Sequence, residues 1–201
     1  MAEPVPIVLA SASVARARML EAAGVPFTVD PASIDEDAVK RAMRGDGASA
    51  AETAEALAAL KARQVTRKHP GSLVVGADQL LACGERWFDK PPDLAAARDQ
   101  LLALRGQTHE LLTAAAVVRD GEILWHHVDR AQLTMRPFGE TFLDGYLARA
   151  GDGVCRSVGG YEVEGLGAQL FSRISGSHFG ILGLPLLPLL DFLRAHGVIG
   201  E

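Results

Sequence analysis

The stretch "HELLTAAAVVRDGEILWHHVDRAQLTMRP" restricts the fold more than any other part of the chain. It reads as two long strands around Asp120-Gly121, a dipeptide suited to the positive φ angles of a two-residue hairpin turn. A hairpin of this length argues against a purely parallel sheet. Elsewhere apolar runs alternate with helical patterns, which points to an α/β domain. Residues 6–10 read as a buried strand. Residues 14–23 read as a helix with Ser13 as N-cap and Gly24 just past its end. Residues 48–67 and 93–105 read as further helices, and 73–82 as a second strand. Residues 28–47 are acidic and irregular, a loop with a short turn of helix, whereas 138–150 are helical. The glycine-rich 151–176 read as strand-like, and "GLPLLPLLDFLRAHG" as a helix with prolines in its first turn. No repeat or linker divides the chain, so residues 1–201 are expected to form a single α/β domain. Its expected form is a mixed, twisted sheet flanked by helices with a central substrate cleft.

Composition narrows the partners. A formal charge of −5 lacks the basic face of a duplex nucleic-acid binder, although a few inward lysines and arginines can still hold a small phosphorylated ligand. The most apolar stretch, "ILGLPLLPLL", is too short and too proline-interrupted to span a bilayer. The N-terminus shows no signal-peptide pattern. Cys83 and Cys155 have neither metal-ligand spacing nor a disulfide framework, which fits reduced cysteines in a cytoplasmic protein.

Several residues fit poorly into a plain core. In "LASASVARARML" an apolar run ends in Ser11 and Ser13 and enters a helix whose first turn carries Arg16. Ser13 can simply cap that helix, but a helix N-terminus with a hydroxyl is also a phosphate site. A cation in the first turn is disfavoured by the helix dipole unless an anion compensates it. Lys61 falls one turn after Leu57 and one turn before Val65, on the stripe that should be buried. It is either a snorkelling surface lysine or a buried ammonium in need of an anion. On that stripe a leucine should be tolerated at least as well by the fold. Asp78 interrupts an apolar strand, either as an outward-facing residue or as a carboxylate that needs a metal, a lysine or water, and the preceding Gly76-Ala77 leave room for a close approach, read here as that of a ligand. "DKP" places Lys90 before a helix start, where a solvated loop charge is the plain alternative. Arg16, Lys61 and Lys90 could neutralise a polyphosphate, Asp78 could serve as base or metal ligand, and Glu36 offers a second carboxylate. This is equipment for phosphoanhydride hydrolysis, without a P-loop motif.

The ordered set "LASASVARARMLEAAGVPF", "IDED", "LAALKA", "VVGADQLL", "DKPPDLAAARDQLLALRGQTHELLT" and "GGYEVEGLGAQLFSRISGSHFGILGLPL" resembles the Maf family of nucleotide pyrophosphatases, sometimes called septum formation inhibitors. The resemblance spans nearly the whole chain. It implies hydrolysis of a nucleoside triphosphate to the monophosphate and pyrophosphate with a divalent metal, Mg²⁺ or Mn²⁺, often in a homodimer. It casts Asp78 as proton acceptor, with Ser11, Arg16, Lys61 and Lys90 on the substrate, and Glu36 and Asp78 on the metal. The family's "SPRR" is here Ser13-Val14-Ala15-Arg16, its "GADT" ends in Gln79, and its "IQG" is Val163-Glu164-Gly165. "GADQ" and "EGLG" look more like the branch acting on 7-methyl-GTP than the branch acting on dTTP and UTP. Glu164 is then a substrate-binding residue, the alternative being a structural carboxylate that holds the glycine-rich segment, with Trp87 either a stacking partner for the base or an ordinary strand-edge tryptophan. The alternative function is a non-catalytic nucleotide-binding regulator of cell division.

Overall fold

A computed structural model describes residues 5–200. Seven strands form one mixed sheet: β1 (Ile7–Leu9), β2 (Thr28–Val29), β3 (Leu73–Cys83), β4 (Arg86–Phe88), β5 (Thr108–Arg119), β6 (Glu122–Met135) and β7 (Phe171–Ser175). The order is β2-β1-β3-β5-β6-β7, with β4 also on β3. β1 lies parallel to β2 and β3, while β4 runs antiparallel to β3 and β7 antiparallel to β6. The helices are α1 (Val14–Ala22), α2 (Glu36–Gly45), α3 (Ala50–Thr66), α4 (Leu94–Leu104), α5 (Glu140–Ala150), α6 (His178–Ile181) and α7 (Leu186–Ala195). The expected hairpin is present, with φ of 49° at Asp120 and 89° at Gly121. Among the described residues no helix is long and apolar enough to cross a membrane.

The described residues divide into two compact units, one of 5–79, 113–129 and 177–200, the other of 80–112 and 130–176. In the first, strand alternation sorts side chains to two faces. Ile7, Leu9, Val75, Ala77 and Val117 join a core with Leu20 of α1 and Leu189 and Leu193 of α7. Val8, Val74 and Val118 turn the other way, onto Ala62 and Val65 of α3. Each fully buried leucine or valine contributes about 1.5–3 kcal/mol, so these two layers hold the strands rigidly. Residues 28–47 differ from the expected loop, because α2 is a ten-residue helix. The Asp35 carboxylate accepts from the Ala38 N–H, Glu36 and Asp37 occupy the positive end, and Arg44 the negative end. Capping and dipole complementarity thus favour a helix that buries no residue fully.

In the second unit residues 151–176 are not a strand until Phe171; three 3-10 turns, Gly151–Arg156, Val158–Gly160 and Leu166–Leu170, precede it. Gly159 and Gly160 have φ of 79° and 74°, which no ladder accommodates. The Tyr146 hydroxyl donates to the Gly160 carbonyl (3.2 Å), and the next residue, Tyr161, shares a 2.7 Å hydrogen bond with His109 Nε2. His109 is 1% exposed, and burial lowers its pKa to about 4. The unfolded chain binds that proton near pH 6.5, so the folded state loses stability as pH falls from about 6.5 to about 4. The loss is expected to reach about 3 kcal/mol and then level off. Urea unfolding of wild type and His109→Gln across this window tests it: the difference between them should shrink or reverse as pH falls, and a pH-independent difference would contradict it.

Candidate active site

β3 and α3 build the centre of the site. A Cβ at Gly76 would lie 2.1 Å from the Ala58 carbonyl oxygen and 2.8 Å from the Ala62 nitrogen. The room left by this glycine is therefore occupied by the α3 backbone, not by a ligand. Two residues on, Asp78 projects from the same face of β3 and meets α3 one residue before Ala62, at Lys61. Lys61 Nζ donates to Asp78 Oδ1 at 2.5 Å and lies 2.7 Å from Glu36 Oε1. Lys61 and Asp78 are 7% and 5% exposed. The snorkelling reading of Lys61 fails for this reason: its ammonium turns inward to a buried carboxylate.

Glu36 opens α2, and the segment before it is fastened to α3. The Ser33 N–H donates to Gln64 Oε1 and Gln64 Nε2 donates back to the Ser33 carbonyl, both at 2.7 Å. Gln64 lies three residues after Lys61, so this pair brings the start of α2 over the lysine.

Ser11 and Arg16 flank Asp78 from the β1–α1 connection. Ser13 caps α1 by accepting from the Arg16 N–H. Arg16 Nη1 donates to Ser11 Oγ (2.9 Å) and to the Ala77 carbonyl (3.0 Å), and Nε donates to the Gly183 carbonyl (2.7 Å). Burial lowers the Arg16 pKa, opposed by the charges of Asp78 and Glu36. Those two carboxylates are the anions that make a cation tolerable at the start of α1, where no acidic residue of the helix itself does so.

Burial raises the Asp78 carboxyl above its ordinary value, outweighing the charges of Lys61 and Arg16. Burial also pushes Glu36 up, but the Lys61 hydrogen bond and the charges of Lys61, Lys40 and Arg16 prevail and its pKa is lowered. Asp78 Oδ2 is buried and has no hydrogen-bond partner among the described residues. Such an atom is costly to leave unsatisfied, and here it lies beside two fixed cations. Asp78 and Glu36 could share a divalent ion. No group of three or more His, Cys, Asp or Glu side chains suited to a metal occurs among the described residues. An ion held by two carboxylates would take its remaining oxygens from water and substrate, as Mg²⁺ commonly does.

The structure thus brings together Ser11, Arg16, Glu36, Lys61 and Asp78 within the first unit. Lys90 and Glu164 belong to the second unit, both exposed, Lys90 in the turn between β4 and α4 and Glu164 just before the turn Leu166–Leu170. Trp87 lies on the short strand β4, paired with Ala82, as the strand-edge reading has it. Sequence reasoning missed the Gly183 carbonyl and the ties that hold it. No residue type announces an acceptor on the main chain.

A family profile described as Maf-like protein matches residues 6–196. A Paramagnetospirillum magneticum protein named nucleoside triphosphate pyrophosphatase is 59% identical over 189 residues, 94% of this chain and 97% of that protein. A Rhodospirillum rubrum protein of the same name is 52% identical over 194 residues, 96% of each. A Rhizobium etli protein named 7-methyl-GTP pyrophosphatase is 48% identical over 193 residues, 96% of this chain and 97% of that protein. The profile and these relatives cover the strand, helix and loop segments that assemble the Asp78 site, and on both grounds the chain belongs to the Maf family.

Proposed function

We propose that this chain is a nucleoside triphosphate pyrophosphatase that releases the nucleoside monophosphate and pyrophosphate. The observation that carries the reading is the buried Asp78 carboxylate, with one oxygen on Lys61 and the other without a hydrogen-bond partner among the described residues. A nucleotide-binding regulator has no need of such a base. Asp78 Oδ2 takes a proton from water as the water oxygen bonds to the α-phosphorus and the bond from that phosphorus to the β-bridging oxygen breaks. A carboxyl whose pKa is raised by burial is a better acceptor for that proton. Lys61 fixes the other Asp78 oxygen and keeps one N–H beyond its two carboxylate partners for a phosphate oxygen. Arg16, held through Nε and Nη1, would offer its remaining N–H donors to a phosphate oxygen. Ser11 orients that guanidinium and can donate its own hydroxyl proton.

Arg16 and Lys61 are matched in charge by Asp78 and Glu36, so the cluster adds little net positive charge for a triphosphate. A divalent ion on Asp78 and Glu36 would supply it and polarise the phosphoryl oxygens. On the family resemblance, Lys90 contacts the phosphates and Glu164 the base.

A carboxylate is acceptor-only, which suits the adjacent N1–H and N2 amino donors of guanine and repels the carbonyls of uracil or thymine. N7 methylation makes the ring cationic and strengthens that attraction. The reading therefore favours 7-methyl-GTP, in line with one relative's name. A panel of canonical and methylated nucleoside triphosphates, with monophosphate and pyrophosphate assayed separately, tests both levels. Release of orthophosphate alone would overturn the pyrophosphatase reading. The expected kcat/KM favours 7-methyl-GTP over UTP and dTTP by at least about tenfold, and Glu164→Gln narrows the gap. An equal effect of Glu164→Gln on every substrate would remove only the base-reading role.

A further inference from the structure

Gln79 follows Asp78 on β3 and, by strand alternation, projects from the opposite face. Three acceptors surround its carboxamide nitrogen: Thr113 Oγ1 at 2.8 Å, the Gly180 carbonyl at 3.0 Å and the Ile181 carbonyl at 3.1 Å. Thr113 Oγ1 in turn donates to the same Gly180 carbonyl at 2.8 Å. A third donor to that oxygen is the Gly183 N–H, at 3.0 Å. The Gly180 carbonyl is thus a junction held by Gln79 and Thr113 on the sheet side and by Gly183 on the loop side. Gly183 then turns its own carbonyl to Arg16 Nε at 2.7 Å. Its φ of 107° lies in the region that favours glycine, so its carbonyl direction is set by a backbone geometry other residues adopt only with strain.

The remaining donors of Arg16 are constrained from the other side. Nη1 is shared between Ser11 Oγ and the carbonyl of Ala77, the residue before Asp78. A planar guanidinium fixed through Nε and Nη1 has its Nη2 direction determined. Without the Gly183 acceptor only Nη1 is held, and the plane can swing about the Nη1 contacts.

We propose that Gln79 is a positioning residue for Arg16: by anchoring the Gly180 carbonyl it fixes Gly183, whose carbonyl aims the guanidinium at the phosphates. The inference rests on the reading of Arg16 as a phosphate ligand, and the experiment keeps the two separable.

Binding of inorganic pyrophosphate with Mg²⁺ is measured by calorimetry for wild type, Gln79→Met, Arg16→Ala and the double variant, with thermal unfolding of each. Methionine keeps the length of the side chain and removes the donor. Gln79→Met is expected to weaken binding roughly tenfold, and the double variant to bind no worse than Arg16→Ala alone, since a mispositioned residue that is absent cannot be lost again. Losses that multiply in the double variant, or wild-type affinity in Gln79→Met beside a weakened Arg16→Ala, would overturn the positioning role alone. Wild-type affinity in Arg16→Ala would overturn its phosphate role and this proposal with it. If Gln79→Met does not fold, Thr113→Val takes its place: a loss in the same direction, again absent in the Arg16→Ala background, supports the proposal, and unchanged affinity overturns it.

Discussion

Asp78→Asn is expected to lower kcat by about 10²- to 10⁴-fold while leaving a folded protein. The amide is nearly isosteric, so β3 keeps its packing against α3, and its oxygen can still accept from Lys61. Lys61 also retains Glu36 at 2.7 Å, which spares it a buried charge without a partner. What disappears is the capacity of the Asp78 Oδ2 position to take a proton, because an amide nitrogen there is a donor. Steady-state turnover together with a thermal unfolding curve checks the prediction. Activity within a fewfold of wild type would remove Asp78 from the base role.

Lys61→Leu should abolish most turnover and, unlike the expectation from the helix stripe alone, also destabilise the protein at neutral pH. Leucine suits the apolar neighbours Leu57 and Val65. The difficulty is what it leaves behind: Asp78, 5% exposed, loses the one cation hydrogen-bonded to it among the described residues. Breaking a buried pair by removing one partner costs about 3–5 kcal/mol, where replacing both is often neutral. Asp78 then takes up a proton more readily, so the deficit should diminish as pH falls. Combining Lys61→Leu with Asp78→Asn should recover much of the stability but none of the activity. Urea unfolding of the three variants distinguishes this from a surface lysine, whose removal would change stability by a few tenths of a kcal/mol at most.

Local chemistry accounts for what the sequence by itself determined. Asp120-Gly121 specified the hairpin because few other residues take positive φ at both turn positions. Ser13 marked a helix start because a hydroxyl can accept from an N–H three residues on, as it does, and Asp93 caps α4 in the same way. Lys61 and Asp78 stood out because a charge on an apolar stripe or strand needs a partner, and the partner of each proved to be the other. Periodicity alone could not pair them, since they lie on different elements.

Tertiary structure decided the rest. The space at Gly76 reads from sequence as room for a ligand, and packing gives it instead to the α3 backbone. Residues 151–176 read as strand-like, yet the positive φ of Gly159 and Gly160 interrupts any ladder, and Tyr146 and His109, distant in sequence, bond the turns there. The hold on Arg16 depends on the main-chain carbonyls of Ala77 and Gly183, and the second of these on Gln79. Every residue carries a carbonyl, so sequence cannot say which one will face a guanidinium. Only the path of the folded chain selects it, and that path is set by long-range burial whose energy no local segment contains.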